Sequence, residues 1–484
     1  MSDRSLSARS SVFAPMGAVL CGPWGVALLV FLVTAGRLAL LSSPLAPPVT
    51  PGEADLWVQG RAGAALWPET GPLLPWLLSL LSDTCGADAP CLRLVGPVTH
   101  GAAMWFLYRL GTRLFDAPTG FWCAVLYATM PLVLAGGLVV GPMALLMPVW
   151  TVALLALART HVARSRFDWV VLGACVALGL VIHPVMSLFV PLAVLYLAMS
   201  PEHAGLWRRP GPYVALLIGL AGLLPALMRA ASDQWAGVYQ LVEAITAPVA
   251  DPAALWPTVA LGIVLGGPVV AGVLAVLLLR TPLLMRDGAW ADYRVRLLMI
   301  FSVPVLAATL WLTLLLKDDV MLTAPAVPAA VAMVCGWLLV QGRGAWLVLA
   351  AGINMALCAA LLTGPDTARR FGWVPPAVLD PEVGGRGFEA AGSWLRTLAE
   401  AYPDAPLAVA GEDAPLLAYH AAVRGLSPRV LGTGPREDRG AFQGLLVMPA
   451  ALAEAGETGA TIRARLTVTL PDGRVRAWAA AMVP

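Results

Sequence analysis

The chain has 484 residues, 59% of them hydrophobic and only 12% charged. Ordinary soluble domains run at about half apolar and roughly a quarter charged. This composition therefore excludes a simple soluble protein and leaves room for many membrane spans plus one further domain. A net charge of +2 provides no field for nucleic acid, which is not expected as a partner.

Polar residues 1–13 precede an apolar run over 16–41, longer than the core of a secretory signal. Roughly twenty apolar residues suffice to cross a bilayer, so this run reads as a retained first helix. Further stretches at 94–115, 118–137, 138–158, 169–182, 184–199, 211–228, 255–279, 297–316, 321–341 and 344–363 bring the expectation to about eleven spans. With a cytoplasmic N-terminus, the inner ends carry Arg4, Arg9, Arg109, Arg113, Arg159, Arg164, Arg166, Arg208, Arg209, Arg280, Arg286, Arg294, Arg296 and Arg343. The outer loops between spans then hold only Arg61, Arg93, Arg229 and Lys317, which is the distribution the positive-inside rule prefers. That orientation puts loop 42–93 and the C-terminal segment outside, with Glu53, Asp55 and Glu69 on the same face.

The first loop holds the acidic run Pro51-Gly-Glu-Ala-Asp-Leu-Trp57 and, further on, Glu69-Thr-Gly-Pro-Leu-Leu-Pro75. Carboxylates kept beside lipid are costly and usually serve chemistry or ion handling. Trp57, Trp67 and Trp76 read as interfacial belt residues. Cys85 and Cys91 share this loop, where an oxidising compartment permits a disulfide; two free thiols are the alternative. The other five cysteines sit singly in apolar runs and make no metal pattern.

From Gly364 hydropathy falls and charge rises. Residues 388–402 read as an amphipathic helix with Phe388, Trp394, Leu395 and Leu398 as its stripe. Leu407–Ala410 and Gly444–Met448 read as strands, with a helix through Leu416 to Val423 between them. Thr461–Leu470 and Arg474–Ala480 flank Pro471-Asp-Gly473 as a hairpin. The expected organisation is a transmembrane domain over 1–363 with outer loop 42–93, then an extracytoplasmic α/β domain over 364–484.

Taken in order, the first span, the acidic loop, the helix ending Tyr108-Arg-Leu-Gly-Thr-Arg-Leu-Phe115, Gly211-Pro-Tyr213, Pro225, Trp235 and Ala324-Pro-Ala-Val-Pro328 resemble a family. They look like the bacterial polytopic glycosyltransferases of the GT-C fold, in particular the family 39 mannosyltransferase-like proteins and their aminoarabinose-transferase relatives. The resemblance implies a multi-pass protein of the bacterial plasma membrane. It implies transfer of a sugar from a polyprenyl-phosphate donor to a lipid or protein acceptor on the periplasmic face. Such chemistry needs a carboxylate to activate the acceptor hydroxyl and a cation, from Arg, Lys or a divalent metal, for the departing phosphate.

The chain departs from the family in four motif regions. Where relatives have Asp-Glu-Ala it has Gly52-Glu53-Ala54, and where they have Asp-His-Pro-Pro-Leu or Asp-Lys-Pro-Pro-Leu it has Glu69-Thr70-Gly71-Pro72-Leu73. Their Thr-Pro-Asp-Ala stands here as Gly141-Pro142-Met143-Ala144, and near Trp235 their Asn and His positions hold Ala230 and Asp233. The catalytic expectation therefore rests on Glu53, Asp55 and Glu69. Arg61, Arg93, Arg229 and Lys317 are the cations on the proper face for a phosphate, since Arg grips it bidentately and Lys acts as a point charge. His183, at an outer helix end, joins them as a substrate-binding residue. Arg37 and His100, within or near spans, are further intramembrane polar groups. The other readings are a relative that binds a lipid-linked sugar or scaffolds a partner without turnover, and a transporter, which would show repeated halves.

Overall fold

The computed structural model describes residues 19–62, 71–163, 166–200, 205–232, 235, 239, 242, 246, 255–286, 292–316, 320–371, 384–431, 442–454, 461–470 and 474–483. Helices account for the first three quarters of the chain. They are α1 (Pro23–Leu41), α2 (Pro51–Arg61), α3 (Leu73–Cys85), α4 (Ala89–Leu92), α5 (Val95–Leu114), α6 (Ala117–Thr129), α7 (Pro131–Leu138), α8 (Pro142–Ala163) and α9 (Arg166–Ile182). A 3-10 turn over Pro184–Leu188 leads to α10 (Phe189–Ala198), followed by α11 (Pro210–Ala221), α12 (Leu224–Ser232), α13 (Leu255–Leu265), α14 (Pro268–Arg286) and α15 (Tyr293–Leu316). A second 3-10 segment, Val320–Ala326, precedes α16 (Val327–Val340) and α17 (Ala345–Arg370).

Among the described residues, five helices are long and apolar enough to cross a membrane, or seven if each of two bent pairs is one span. The protein is a multi-pass membrane protein. Where one straight span was expected over 118–137, α6 and α7 meet at a 60° bend at Met130. Pro131 explains it, because proline cannot donate to the helix ladder and its ring clashes with the preceding turn. The 255–279 stretch is likewise two helices bent by 112°, with Gly267 at φ 85° between them, a conformation that glycine adopts without strain. The 211–228 stretch divides into α11 and α12, and the final span continues to Arg370.

Helices in lipid gain little from apolar burial against one another, so close backbone approach supplies their packing. A Cβ on Gly111 of α5 would stand 2.8 Å from Gly120 Cα of α6, and one on Gly173 of α9 would stand 2.7 Å from Ala215 O of α11. The central element is the Met321–Val340 stretch, 83% buried, whereas α1 is peripheral at 17%. Trp150 of α8 meets Phe189 of α10 and Phe301 of α15 edge-on at 5.1 and 6.4 Å, and the two phenylalanines lie tilted at 4.7 Å.

The C-terminal region adds α18 (Phe388–Ala401), β1 (Leu407–Ala410), α19 (Ala414–Ala422), β2 (Arg429–Leu431), β3 (Gly444–Pro449), α20 (Ala450–Glu454), β4 (Thr461–Thr469) and β5 (Val475–Val483). The sheet order is β2-β1-β3-β5-β4. β1 runs parallel to both β2 and β3, while β5 is antiparallel to β3 and β4. The expected hairpin is therefore present, and β2 is the strand the sequence did not announce. Alternate residues divide the sheet's two faces. Val409, Leu445, Val447, Trp478 and Ala480 pack with Phe388, Leu395 and Leu417, while Ala408, Leu446 and Met448 form a smaller cluster with Leu431 and Phe442.

The first of these clusters extends beyond the C-terminal region. It includes Ala54, Leu56 and Trp57 of α2, Leu74 and Leu78 of α3, and Leu92 of α4. The first loop and the C-terminal sheet thus share one hydrophobic core. Trp57, expected in an interfacial belt, is buried instead, edge-on to Tyr419 at 5.6 Å with its Nε1 donating to Ser82 Oγ at 3.2 Å. Trp76 is exposed, and Trp67 lies outside the described residues. Cys85 and Cys91 form a disulfide that closes the turn between α3 and α4.

Candidate active site

The acid-bearing segment is a helix because its first turn is fully equipped. Thr50 is the N-cap, Pro51 occupies the first helical position, and Glu53 completes a capping box. Glu53 N–H donates to Thr50 Oγ1 at 3.3 Å, and Thr50 N–H donates back to Glu53 Oε2 at 2.9 Å. A box of this kind needs only part of a carboxylate's accepting capacity.

The rest is taken by Arg93, just beyond α4. Its Nε donates to Glu53 Oε1 at 2.8 Å and its Nη2 to Oε2 at 2.7 Å, the bidentate fork that guanidinium geometry favours. Two of the remaining three donors are used as well, with Nη1 on Pro47 O at 2.6 Å and Nη2 on Pro48 O at 3.0 Å. Val140 N–H, in the linker between α7 and α8, also donates to Glu53 Oε1 at 2.8 Å. Arg93 is 2% exposed and Glu53 7%. A charge pair so buried is sustained only when its lone pairs and protons are this fully satisfied. The cavity beside it, lined by Val49, Glu53, Leu78, Ala89, Leu92, Arg93 and Val140, holds about 10 Å³, room for about one water. Five segments meet at this carboxylate: the strand-like entry at 47–50, α2, the end of α4, the α7–α8 linker and, through Tyr419, the C-terminal region. Burial pushes the Tyr419 phenol up, and the nearby Glu53 carboxylate adds to the shift.

Asp55 lies on another side of α2, half-buried, with its Oδ2 accepting from Gln59 Nε2 at 2.6 Å. Arg61 pairs with Asp83 at 2.5 Å, both side chains largely exposed. His183 caps the 3-10 turn, its Nδ1 accepting from Val185 N–H at 3.1 Å. One residue before it, Ile182 O accepts from Gly71 N–H at 3.0 Å. The contact is so close that a Cβ on Gly71 would overlap Val181 O, at 1.8 Å. The chain leaving Glu69 and Thr70 is thus anchored beside His183, two motif regions that lie more than a hundred residues apart in sequence. Met143, at the position where the resemblance calls for a carboxylate, is buried in the main apolar core.

The structure brings together Glu53 and Arg93, which the sequence reading treated as separate catalytic and phosphate-binding groups. Glu69 and Lys317 lie outside the described residues, as does the side chain of Arg229. Among the described residues no three His, Cys, Asp or Glu side chains converge as a metal would require. The signal that would have revealed the role of Glu53 was present: Thr50-x-x-Glu53 is the capping-box pattern. Val140 and Tyr419 carry no such local signal.

Residues 69–228 match the dolichyl-phosphate-mannose-protein mannosyltransferase family. No curated protein sequence matches the chain. Among solved structures, ArnT from Cupriavidus metallidurans in the apo state is 14% identical with a TM-score of 0.61, covering 94% of this chain and 98% of that one. The same protein bound to undecaprenyl phosphate is 15% identical with a TM-score of 0.59, covering 96% and 98%. The archaeal oligosaccharyltransferase AglB from Archaeoglobus fulgidus, in complex with an inhibitory peptide and a dolichol-phosphate, is 12% identical with a TM-score of 0.50, covering 96% and 74%. Agreement over nearly the whole length with ArnT, bundle and C-terminal sheet together, assigns the architecture: this chain has the polytopic GT-C glycosyltransferase fold.

Proposed function

We propose that this chain is a membrane glycosyltransferase that moves a sugar from a polyprenyl-phosphate donor to a lipid or protein acceptor. The observation that carries the reading is the mannosyltransferase-family match over 69–228 within a fold shared along its length with an undecaprenyl-phosphate-bound relative. In this reading the working face bears loop 42–93 and the C-terminal domain, and the arginine distribution favours it as the periplasmic face.

Asp55 is the carboxylate we assign to accept the acceptor's hydroxyl proton. The acceptor oxygen then bonds to the anomeric carbon, the sugar–phosphate C–O bond breaks, and polyprenyl phosphate departs with the electron pair. Glu53 is a positioning residue in this scheme, because both of its oxygens are occupied by Arg93, Thr50 and Val140. Arg93 is spent on Glu53 and Arg61 is paired with Asp83, so the charge on the departing phosphate falls to Arg229 and Lys317. His183, next to the Ile182 carbonyl that anchors Gly71, is assigned to substrate binding in this scheme.

The test is mass spectrometry of envelope glycolipids and glycoproteins from a deletion strain complemented with the wild-type chain, Asp55→Asn or Glu53→Gln. A glycan lost on deletion, restored by wild type and reduced at least ~100-fold with Asp55→Asn at equal abundance is expected, the usual scale for a general base. Full restoration by Asp55→Asn removes Asp55 from the chemistry. An unchanged glycan profile on deletion moves the chain to the binding or scaffolding reading.

A further inference from the structure

Gln59 lies one helical turn beyond Asp55 on α2, and both side chains are half-buried. Its Nε2 donates to Asp55 Oδ2 at 2.6 Å. The other end of the same amide, Oε1, is buried without a hydrogen-bond partner. An orphaned buried acceptor destabilises a fold, and buried amides are normally satisfied at both ends. Turning the amide over offers no relief, because Oε1 would then face a carboxylate that only accepts. The orientation of Gln59 is therefore dictated by Asp55 and is kept at the expense of its own oxygen.

The pair occupies a side of α2 that the fold does not otherwise use. Charged and titratable groups on the elements packed against this helix are committed elsewhere. Glu53 is gripped by Arg93, and Arg61 is paired with Asp83 of α3. On α19, Tyr419 is seated against Trp57 and His420 is stacked on Phe388. Residues four apart are neighbours on a helix surface, so Gln59 reaches Asp55 without disturbing the Glu53 clamp or the Trp57 contact.

We propose that Gln59 is a positioning residue that holds Asp55 ionised and oriented to receive the acceptor's hydroxyl proton. This rests on Asp55 being the base of the proposed transfer. A hydrogen bond donated to the charged form of a carboxylate lowers its affinity for a proton. Gln59 thus keeps the base deprotonated before transfer and, by holding Oδ2, fixes the plane of the carboxylate. The orphaned Oε1 is the structural cost of that single-purpose orientation, and costs of this kind gather at functional sites.

The experiment treats the full chain in detergent with dicyclohexylcarbodiimide, an apolar reagent that reacts with protonated carboxyls, across a pH series. Peptide mass spectrometry reads the adduct on Asp55. Gln59→Met removes the amide at similar length and volume, and Gln59→Glu sets a second carboxylate against Asp55. The labelling midpoint is expected to rise by about one pH unit in Gln59→Met, and further in Gln59→Glu, where like charges disfavour ionisation. Both variants should melt within a few degrees of wild type. Glycan formation by membranes carrying Gln59→Met should fall up to about tenfold at the acid end of its pH profile and match wild type at the alkaline end. Equal Asp55 labelling at every pH in wild type and Gln59→Met, whether strong or absent, overturns the proposal. Midpoints that move while Asp55→Asn still restores the full glycan overturn the reading of Asp55 as the base, and with it the catalytic role of Gln59.

Discussion

Removing Arg93 while leaving Glu53 in place should open the first loop far more than the loss of one surface ion pair would suggest. In Arg93→Met the carboxylate keeps its burial and its bonds to Thr50 and Val140 but loses both guanidinium contacts, and Pro47 O and Pro48 O lose their donors. Stranding one partner of a buried pair costs about 3–5 kcal/mol. At about 1.4 kcal/mol per tenfold change, amide protection over α2 should fall by roughly two to three and a half orders of magnitude. The loss should extend to α19, because Trp57 of α2 is seated on Tyr419. Hydrogen–deuterium exchange of residues 50–61 and 414–422 in detergent reads this local opening directly. Glu53→Met and the double variant complete a cycle. Since the double variant leaves no unpaired charge, it should be less damaging than the sum of the singles by about 2 kcal/mol, within the range seen for contacting pairs. Additive singles, or an Arg93→Met variant within about 1 kcal/mol of wild type, would refute the assignment of Glu53 and Arg93 as the clamp of the loop.

Other consequences are equally direct. His420 is buried beside Arg424 and stacked on Phe388, and its pKa is lowered to about 4, first by burial and then by that guanidinium. The unfolded chain, with a histidine pKa of about 6.5, takes up the proton first, so the stabilisation from this group is complete above that pH. It fades as pH falls towards 4, by about 3 kcal/mol; hydrogen exchange of the C-terminal sheet should accelerate over that window, and His420→Asn should flatten the profile. Gly71→Ala places a Cβ on Val181 O and should abolish accumulation of the folded protein, whereas Gly141→Ala, with open space around it, should be silent; detergent size-exclusion profiles separate the two. Reducing Cys85–Cys91 opens a short loop with a sequence separation of 6, worth about 2 kcal/mol by chain entropy; thiol labelling before and after reductant, with exchange over α3 and α4, checks it.

The sequence by itself determined that this chain lives in a bilayer, because 59% hydrophobic residues in repeated runs have no other solvent in which to be stable. It also determined the C-terminal α/β region, since amphipathic period and hairpin chemistry are local signals. The capping box at Thr50 and Glu53 is equally local, and its pattern marks the helix start. Only the tertiary structure decided what Glu53 is for, because its partners Arg93 and Val140 stand 40 and 87 residues away. The same holds for Trp57, whose place against Tyr419 depends on the C-terminal domain folding back over the first loop. Arg37 shows the difference most plainly: it is buried where α1 meets the α6–α7 break, its Nη2 donating to Ala128 O at 2.7 Å. Spacing along a chain records the order of residues but not which distant backbone will lie across from them, and that opposition is what turns an acid into a clamp.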